Sequence, residues 1–354
     1  MDEKIEAIIK DGIGREIFPG CSVGIISRTR EEKFFSLGQL TYDDNSALVS
    51  EDTVYDIASV TKAIPTACLI LKYIEEGKLD IDARLVDYLP EFNNLPGKDA
   101  VLIRHLLTYT IDLVLPAMSS LKDLSPEEIV RTVLEAPLRS APGTNYLYTN
   151  STCLLMGLII KNYLKKDLVS EADKYFFQPL GMEHTTFKPK ELVGVDIVPT
   201  EEDGWRPGLV HKEVHDEVTW KLQQEFYPGV AGLFSSTRDI NKFLKMLLNA
   251  GTLNSRKYFE PETIRLMAEK QFSGQEKLSP FGWEPGQKSA SSSLESRPLL
   301  FGKTGFTGCF VDVDLESGIA VVFLSNRIYP KRPATKDDFI KIREQICEIV
   351  FGKE

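Results

Sequence analysis

Ile57-Ala58-Ser59-Val60-Thr61-Lys62 is the stretch at which the character of the chain changes. Before it, apolar residues at helical spacing predict a helix over residues 3–17. Cys21–Ser27 and Lys33–Leu40 read as a strand hairpin across the polar turn Arg28–Glu32, and Asp52–Ile57 as a short strand entering the Ser59 region. After it, from Val60 to about Tyr227, the spacing is mainly helical with long loops. Ala63–Glu76, Arg104–Leu107, Glu127–Leu134 and Thr152–Leu164 carry the helical pattern. Ser125-Pro126-Glu127-Glu128 supplies an N-cap, a proline at the first helical position and acids in the first turn. Lys188–Gln224 reads as a long loop.

Beyond Pro228 the strand signal returns. Thr237–Asn249 and Pro261–Lys270 read as helices, Lys288–Arg297 as a Ser-rich polar loop, and Lys336–Phe351 as a closing helix. Pro298–Lys303, Gly308–Asp314 and Ile319–Ser325 read as strands, the last two joined by the turn Glu316-Ser317-Gly318. Strands at both ends with helices between predict an α/β (α+β) fold. One central antiparallel sheet is built from both termini and flanked by helices, with a mainly helical insertion beside it. The expected division is residues 1–58 and 228–354 in a sheet domain and 59–227 in a helical domain, with the active site where they meet.

The composition narrows the chemistry. A chain of 354 residues that is 42% hydrophobic can bury a substantial core. A net charge of −10 gives no electrostatic footprint for a phosphate backbone, so nucleic acid is not an expected partner. The five cysteines are scattered, with no C-x-x-C pair, and read as reduced buried thiols. Met1–Lys10 is charged and amphipathic, without the apolar core of a signal peptide, and no apolar run reaches membrane-spanning length. The expectation is a cytoplasmic protein without a membrane span.

Ser59 and Lys62, three residues apart at the start of an apolar helix, share one helix face. A serine hydroxyl needs a base within hydrogen-bond reach, and a lysine desolvated in an apolar helix favours the neutral amine that can serve as one. Backbone N–H groups at the helix N-terminus face the place where an oxyanion would develop. Tyr148-Thr149-Asn150 offers a phenol for proton relay beside lysine and an amide for a substrate carbonyl. Lys303-Thr304-Gly305 offers a cation and a hydroxyl for a carboxylate or carbonyl, and a glycine past which a substrate backbone can run. S-x-x-K followed by K-T-G is a catalytic set, and the three elements stand here in its order.

On these motifs the chain resembles the serine β-lactamase and penicillin-binding protein (D-alanyl-D-alanine peptidase) superfamily, in the class-C-like branch that includes family VIII carboxylesterases. The resemblance runs nearly end to end. His105-Leu106-Leu107-Thr108, Pro142-Gly143-Thr144 leading into Tyr148-Thr149-Asn150, Gly229–Phe243 and Leu324-Ser325-Asn326-Arg327 are similar to its other conserved segments. It implies a β-lactamase/transpeptidase-like fold and a serine hydrolase cleaving an ester or amide, such as a β-lactam, a D-Ala peptide or a carboxylic ester, through an acylated Ser59. It implies Lys62 and Tyr148 as general acid and base, Asn150, Lys303, Thr304 and Gly305 as substrate contacts, and the backbone N–H groups of Ser59 and Phe306 as the oxyanion hole. The alternative is a penicillin-binding sensor or binding protein that is acylated at Ser59 and turns over little. No cofactor or metal is implied, and no E-x-x-x-N segment of the class A kind is present.

Three departures stand out. Thr108-Tyr109-Thr110-Ile111-Asp112 replaces the branch's T-H-T-S-G, and the loop Leu113–Leu124 after it is expected to border the site. Pro65 removes a backbone donor from the nucleophile helix and predicts a kink. Phe306 replaces a small residue and is expected to narrow or redirect the pocket. Other motifs fail on context. Gly20-Cys21-Ser22-Val23-Gly24 matches G-x-S-x-G, but it follows a helix and continues as strand. Gly302-Lys303-Thr304 lacks the P-loop's first glycine, since Arg297 stands there. His211 and His215 have zinc-helix spacing without H-E-x-x-H order and read as a solvated loop, while His105 and His184 read as structural.

Overall fold

The computed structural model describes residues 1–29, 31–269, 279–286, 297–333 and 335–352. Most of the Ser-rich loop expected over Lys288–Arg297 lies outside the described residues. Ten strands are present among those described: β1 (Gly20–Ser27), β2 (Lys33–Gly38), β3 (Val54–Asp56), β4 (Phe234–Ser236), β5 (Thr252–Leu253), β6 (Arg256–Lys257), β7 (Glu284–Pro285), β8 (Leu300–Gly305), β9 (Cys309–Asp314) and β10 (Ile319–Ser325). Six form one antiparallel sheet in the order β2-β1-β10-β9-β8-β7. The first and last of these strands in sequence are neighbours inside it, with Cys21 opposite Ser325 and Ser27 opposite Ile319.

Both faces of this sheet are apolar because side chains alternate along a strand and each face has a helical layer to meet. On one face, Val23, Ile25, Phe310, Val321 and Phe323 pack against Ile5 and Ile9 of the Asp2–Gly14 helix and against Phe339, Ile342 and Ile346 of the Asp337–Phe351 helix. On the other, Ile26, Val311, Val313, Ala320, Val322 and Leu324 join a larger core with Ile240, Phe243 and Leu244 of the Thr237–Leu248 helix. That core continues into the helical middle of the chain, through Leu69, Leu154, Leu155 and Phe176. Ser22 lies within β1, its hydroxyl 2.9 Å from that of Ser36, as expected of a strand residue.

Two helical expectations change. Ala63–Glu76 is not one helix: Ile64 takes φ −112°, ψ 106° before a cis Ile64–Pro65 bond, and the regular helix runs Cys68–Glu75. The kink expected at Pro65 is therefore a full interruption, since proline disfavours the helical conformation in the residue before it. Lys188–Gln224 holds a helix at Glu217–Leu222, capped by Asp216, whose carboxylate accepts from Thr219 N. No helix among the described residues is long and apolar enough to cross a membrane.

Candidate active site

Ser59 sits in a single tight helical turn, Ala58–Lys62, directly after β3. Ala58 enters that turn at φ +46°, a left-handed conformation that costs a non-glycine residue on the order of 1 kcal/mol. Asp56 holds it there. One carboxylate oxygen accepts from Ala58 N at 2.8 Å and the other from His215 N at 2.8 Å. From the far side, β8 presses on the same segment. A Cβ on Gly305 would lie 2.4 Å from Ile57 O, so the glycine of Lys303-Thr304-Gly305 makes room for the nucleophile's own backbone. Sequence reasoning had assigned that space to substrate.

Lys62 stands two residues before the interruption at Ile64. Lys62 is fully buried, and its Nζ lies 2.8 Å from Ser59 Oγ and 2.8 Å from Val230 O. One short turn on, the Thr66 hydroxyl donates to Gly229 O at 2.9 Å. Gly229 has φ +77°, and a Cβ there would lie 2.6 Å from Thr66 Cγ2, so only glycine lets these two carbonyls reach the helix. Burial pushes the Lys62 ammonium down to about 8, with the Lys303 charge adding to the effect. The amine is thus available in its neutral form near physiological pH.

Tyr148 and Lys303 complete the cluster. The Tyr148 ring lies 4.2 Å from Lys303 Nζ and 5.6 Å from Lys62 Nζ, and its hydroxyl reaches Ser59. Tyr148 is 38% exposed, yet desolvation drives its phenol well above the ordinary value, with the Glu284 carboxylate adding to the rise. Asn150 precedes the Ser151–Leu158 helix without capping it through its side chain, and half-buried Thr304 stands beside Lys303 on β8.

Sequence reasoning missed two residues that the fold brings here. Tyr109, fully buried at φ +55°, places its hydroxyl 3.0 Å from Lys303 Nζ and its ring 4.5 Å from the same atom. It belongs to the departing segment Thr108–Asp112, which was the available signal. Glu284, on the two-residue β7, lies 3.4 Å from Lys303 Nζ. No pattern in the sequence marks so short a strand.

Past β8, the Phe306 carbonyl accepts from Arg327 at 3.0 Å. Its ring, 46% exposed, stacks on His215 with centroids 5.5 Å apart. His215 is not in a solvated loop: it is 4% exposed, and its Nε2 lies 2.5 Å from Glu201 Oε1. His211 contacts Ile197 O instead, and no group of His, Cys, Asp and Glu among the described residues is placed to hold a metal ion. His105 is structural, its Nδ1 accepting from Leu102 N at 3.1 Å.

A sheet made from both termini beside a helical layer, with a serine hydroxyl 2.8 Å from a buried lysine amine, is the architecture of a serine hydrolase. The β-lactamase family model matches residues 5–344, and the chain belongs to that family. In Salmonella agona, a protein described as "Putative D-alanyl-D-alanine carboxypeptidase" is 28% identical over 308 residues, covering 79% of this chain and 71% of its own. Another of the same description from Salmonella paratyphi B is 27% identical over 319 residues, covering 81% and 73%. Solved structures share the fold. A class C β-lactamase superposes with TM-score 0.77 at 18% identity, covering 100% of this chain and 97% of its own. The octameric penicillin-binding protein homologue from Pyrococcus abyssi gives 0.74 at 23%, covering 100% and 78%.

Proposed function

We propose that the protein hydrolyses an ester or amide through an acyl-enzyme on Ser59. The observation that carries this reading is the fully buried Lys62, lowered to about 8 and 2.8 Å from Ser59 Oγ. Donation of one N–H to Val230 O turns the lone pair of the neutral amine toward the serine proton. Lys62 takes that proton as Ser59 Oγ bonds to the substrate carbonyl carbon. The carbonyl oxygen, now negative, is received by the N–H groups of Ser59 and Phe306. Tyr148, held as a phenol, passes a proton to the leaving group and is reprotonated from the Lys62 ammonium. Water then attacks the acyl carbon along the reverse proton path and frees Ser59. In this reading Asn150 and Thr304 contact the substrate beside this route.

The carboxypeptidase description of the relatives supports a short peptide as one acyl donor, and the class C fold supports a β-lactam as another. A small ester fits the same chemistry. The test is Ser59→Ala on a panel of p-nitrophenyl esters, a chromogenic cephalosporin and D-Ala-D-Ala peptides, with mass spectrometry of the intact protein. Turnover should fall by about four orders of magnitude or more, and the acyl adduct should vanish. Undiminished turnover in the variant would falsify the reading. A long-lived adduct with no product release would instead favour an acylated binding protein.

A further inference from the structure

The two N–H groups that would receive the oxyanion stand far apart in the chain, Ser59 on the turn after β3 and Phe306 just past β8. The gap between them has to be fixed, because a donor helps only when it lies about 2.7–3.1 Å from the developing oxyanion. One buried residue touches both segments. Asp56 Oδ1 accepts from Ala58 N at 2.8 Å, next to Ser59. Asp56 O accepts from the Thr307 hydroxyl at 2.6 Å, next to Phe306. Asp56 Oδ2 accepts from His215 N at 2.8 Å, and the His215 ring stacks on the Phe306 ring. The contacts therefore close on themselves: from the Ser59 turn to Asp56, on to His215, Phe306 and Thr307, and back to Asp56.

His215 is itself anchored within this loop. Its carbonyl accepts from Arg206 at 2.8 Å, and its Nε2 lies 2.5 Å from Glu201 Oε1. Phe306 O is tied in turn by Arg327 at 3.0 Å. Asp56, His215 and Thr307 are all buried, a setting in which a carboxylate is costly. Of the short side chains only a carboxylate accepts at both ends. An asparagine would turn its NH2 toward either Ala58 N or His215 N and lose that contact.

We propose that Asp56 is a positioning residue that sets the spacing of the two oxyanion-hole donors, through its carboxylate on the Ser59 side and through His215 and Thr307 on the Phe306 side. The proposal rests on the Ser59 acyl-enzyme reading and adds a residue that works through the backbone of its neighbours, not on the substrate.

The test is acylation of Ser59 by p-nitrophenyl acetate and by its thiono analogue, in which sulfur replaces the carbonyl oxygen, followed by mass spectrometry of the intact protein. Sulfur is larger than oxygen and a weaker acceptor, so the thiono ester draws little from the hole. The oxo/thiono rate ratio then reads the hole and is blind to the fraction of protein folded. The wild-type ratio should exceed that of the same two esters with hydroxide in water by about a hundredfold or more. Asp56→Asn should slow the oxo ester about a hundredfold, leave the thiono rate little changed, and so lower the ratio. Thr307→Val removes the hydroxyl from Asp56 O at nearly constant size, should move the ratio the same way, and decides the matter if Asp56→Asn does not fold. A wild-type ratio no greater than hydroxide's, or a folded variant that slows both esters equally or leaves the ratio unmoved, overturns the proposal. Ser59→Ala run alongside separates the two levels. If wild-type Ser59 takes no acetyl group, or Ser59→Ala is acylated as fast, the acyl-enzyme reading itself is wrong and the proposal goes with it; if acylation is confined to Ser59, the ratios judge Asp56 alone.

Discussion

At Lys62 the fold holds a cationic side chain in an apolar setting. On the proposed mechanism the active form is the neutral amine, so kcat/KM should rise with pH up to about 8 and level off above it. A pH–rate profile that is flat from 6 to 9 would rule Lys62 out as the base. The same burial bears on stability. Below about pH 8 both folded and unfolded chains carry the ammonium, and the full desolvation penalty falls on the fold. Between about 8 and the ordinary 10.5 the penalty fades as pH rises. Lys62→Met should therefore abolish turnover yet stabilise the protein at pH 7, by up to roughly 3 kcal/mol, less whatever the unpaired Val230 O costs. Denaturant titration reads this directly, and a destabilised variant would contradict it. Ser59 and Lys62 were legible in the sequence because one helical turn joins them. Tyr109 and Glu284 were not, because they reach Lys303 from distant parts of the chain and only the sheet and the Ser59 turn bring them together.

Among the elements, legibility follows how local the determining contacts are. The Pro126–Glu135 helix was readable at its start because its cap lies within four residues. Ser125 Oγ accepts from Glu128 N and a Glu128 carboxylate oxygen accepts from Ser125 N. Ser125→Ala should cost about 1 kcal/mol in thermal unfolding and leave kcat/KM untouched, since this cap makes no contact with the Ser59 cluster. The break at Ile64 was readable for the same reason, Pro65 being the next residue. The Glu217–Leu222 helix was not, since six residues give too few turns for a period to show. β7 is a strand only because Glu284 and Pro285 pair with Gly302 and Phe301 of β8. Its position, not its composition, makes it part of the site.

For the molecule as a whole, the sheet from both termini was predictable from the distribution of strand-like runs, and its strand order was not, because pairing partners leave no mark on composition. One property of the assembled core is open to a simple measurement. All five cysteines are unpaired and buried. A thiol reagent should label none of them in the native protein and all five once it is unfolded, with labelling kinetics that follow global opening. Prompt labelling of any one would show that its part of the core opens alone. The pairing of Cys21 with Ser325 has a further consequence for how the chain is made. The hairpin of β1 and β2 leaves the ribosome well before its neighbour β10, which emerges roughly 300 residues later. At about 5–20 residues per second that is a wait on the order of tens of seconds. Through that interval two apolar strand faces and an open strand edge are presented to solvent or to a chaperone, and the nascent chain's vulnerability lies in that hairpin.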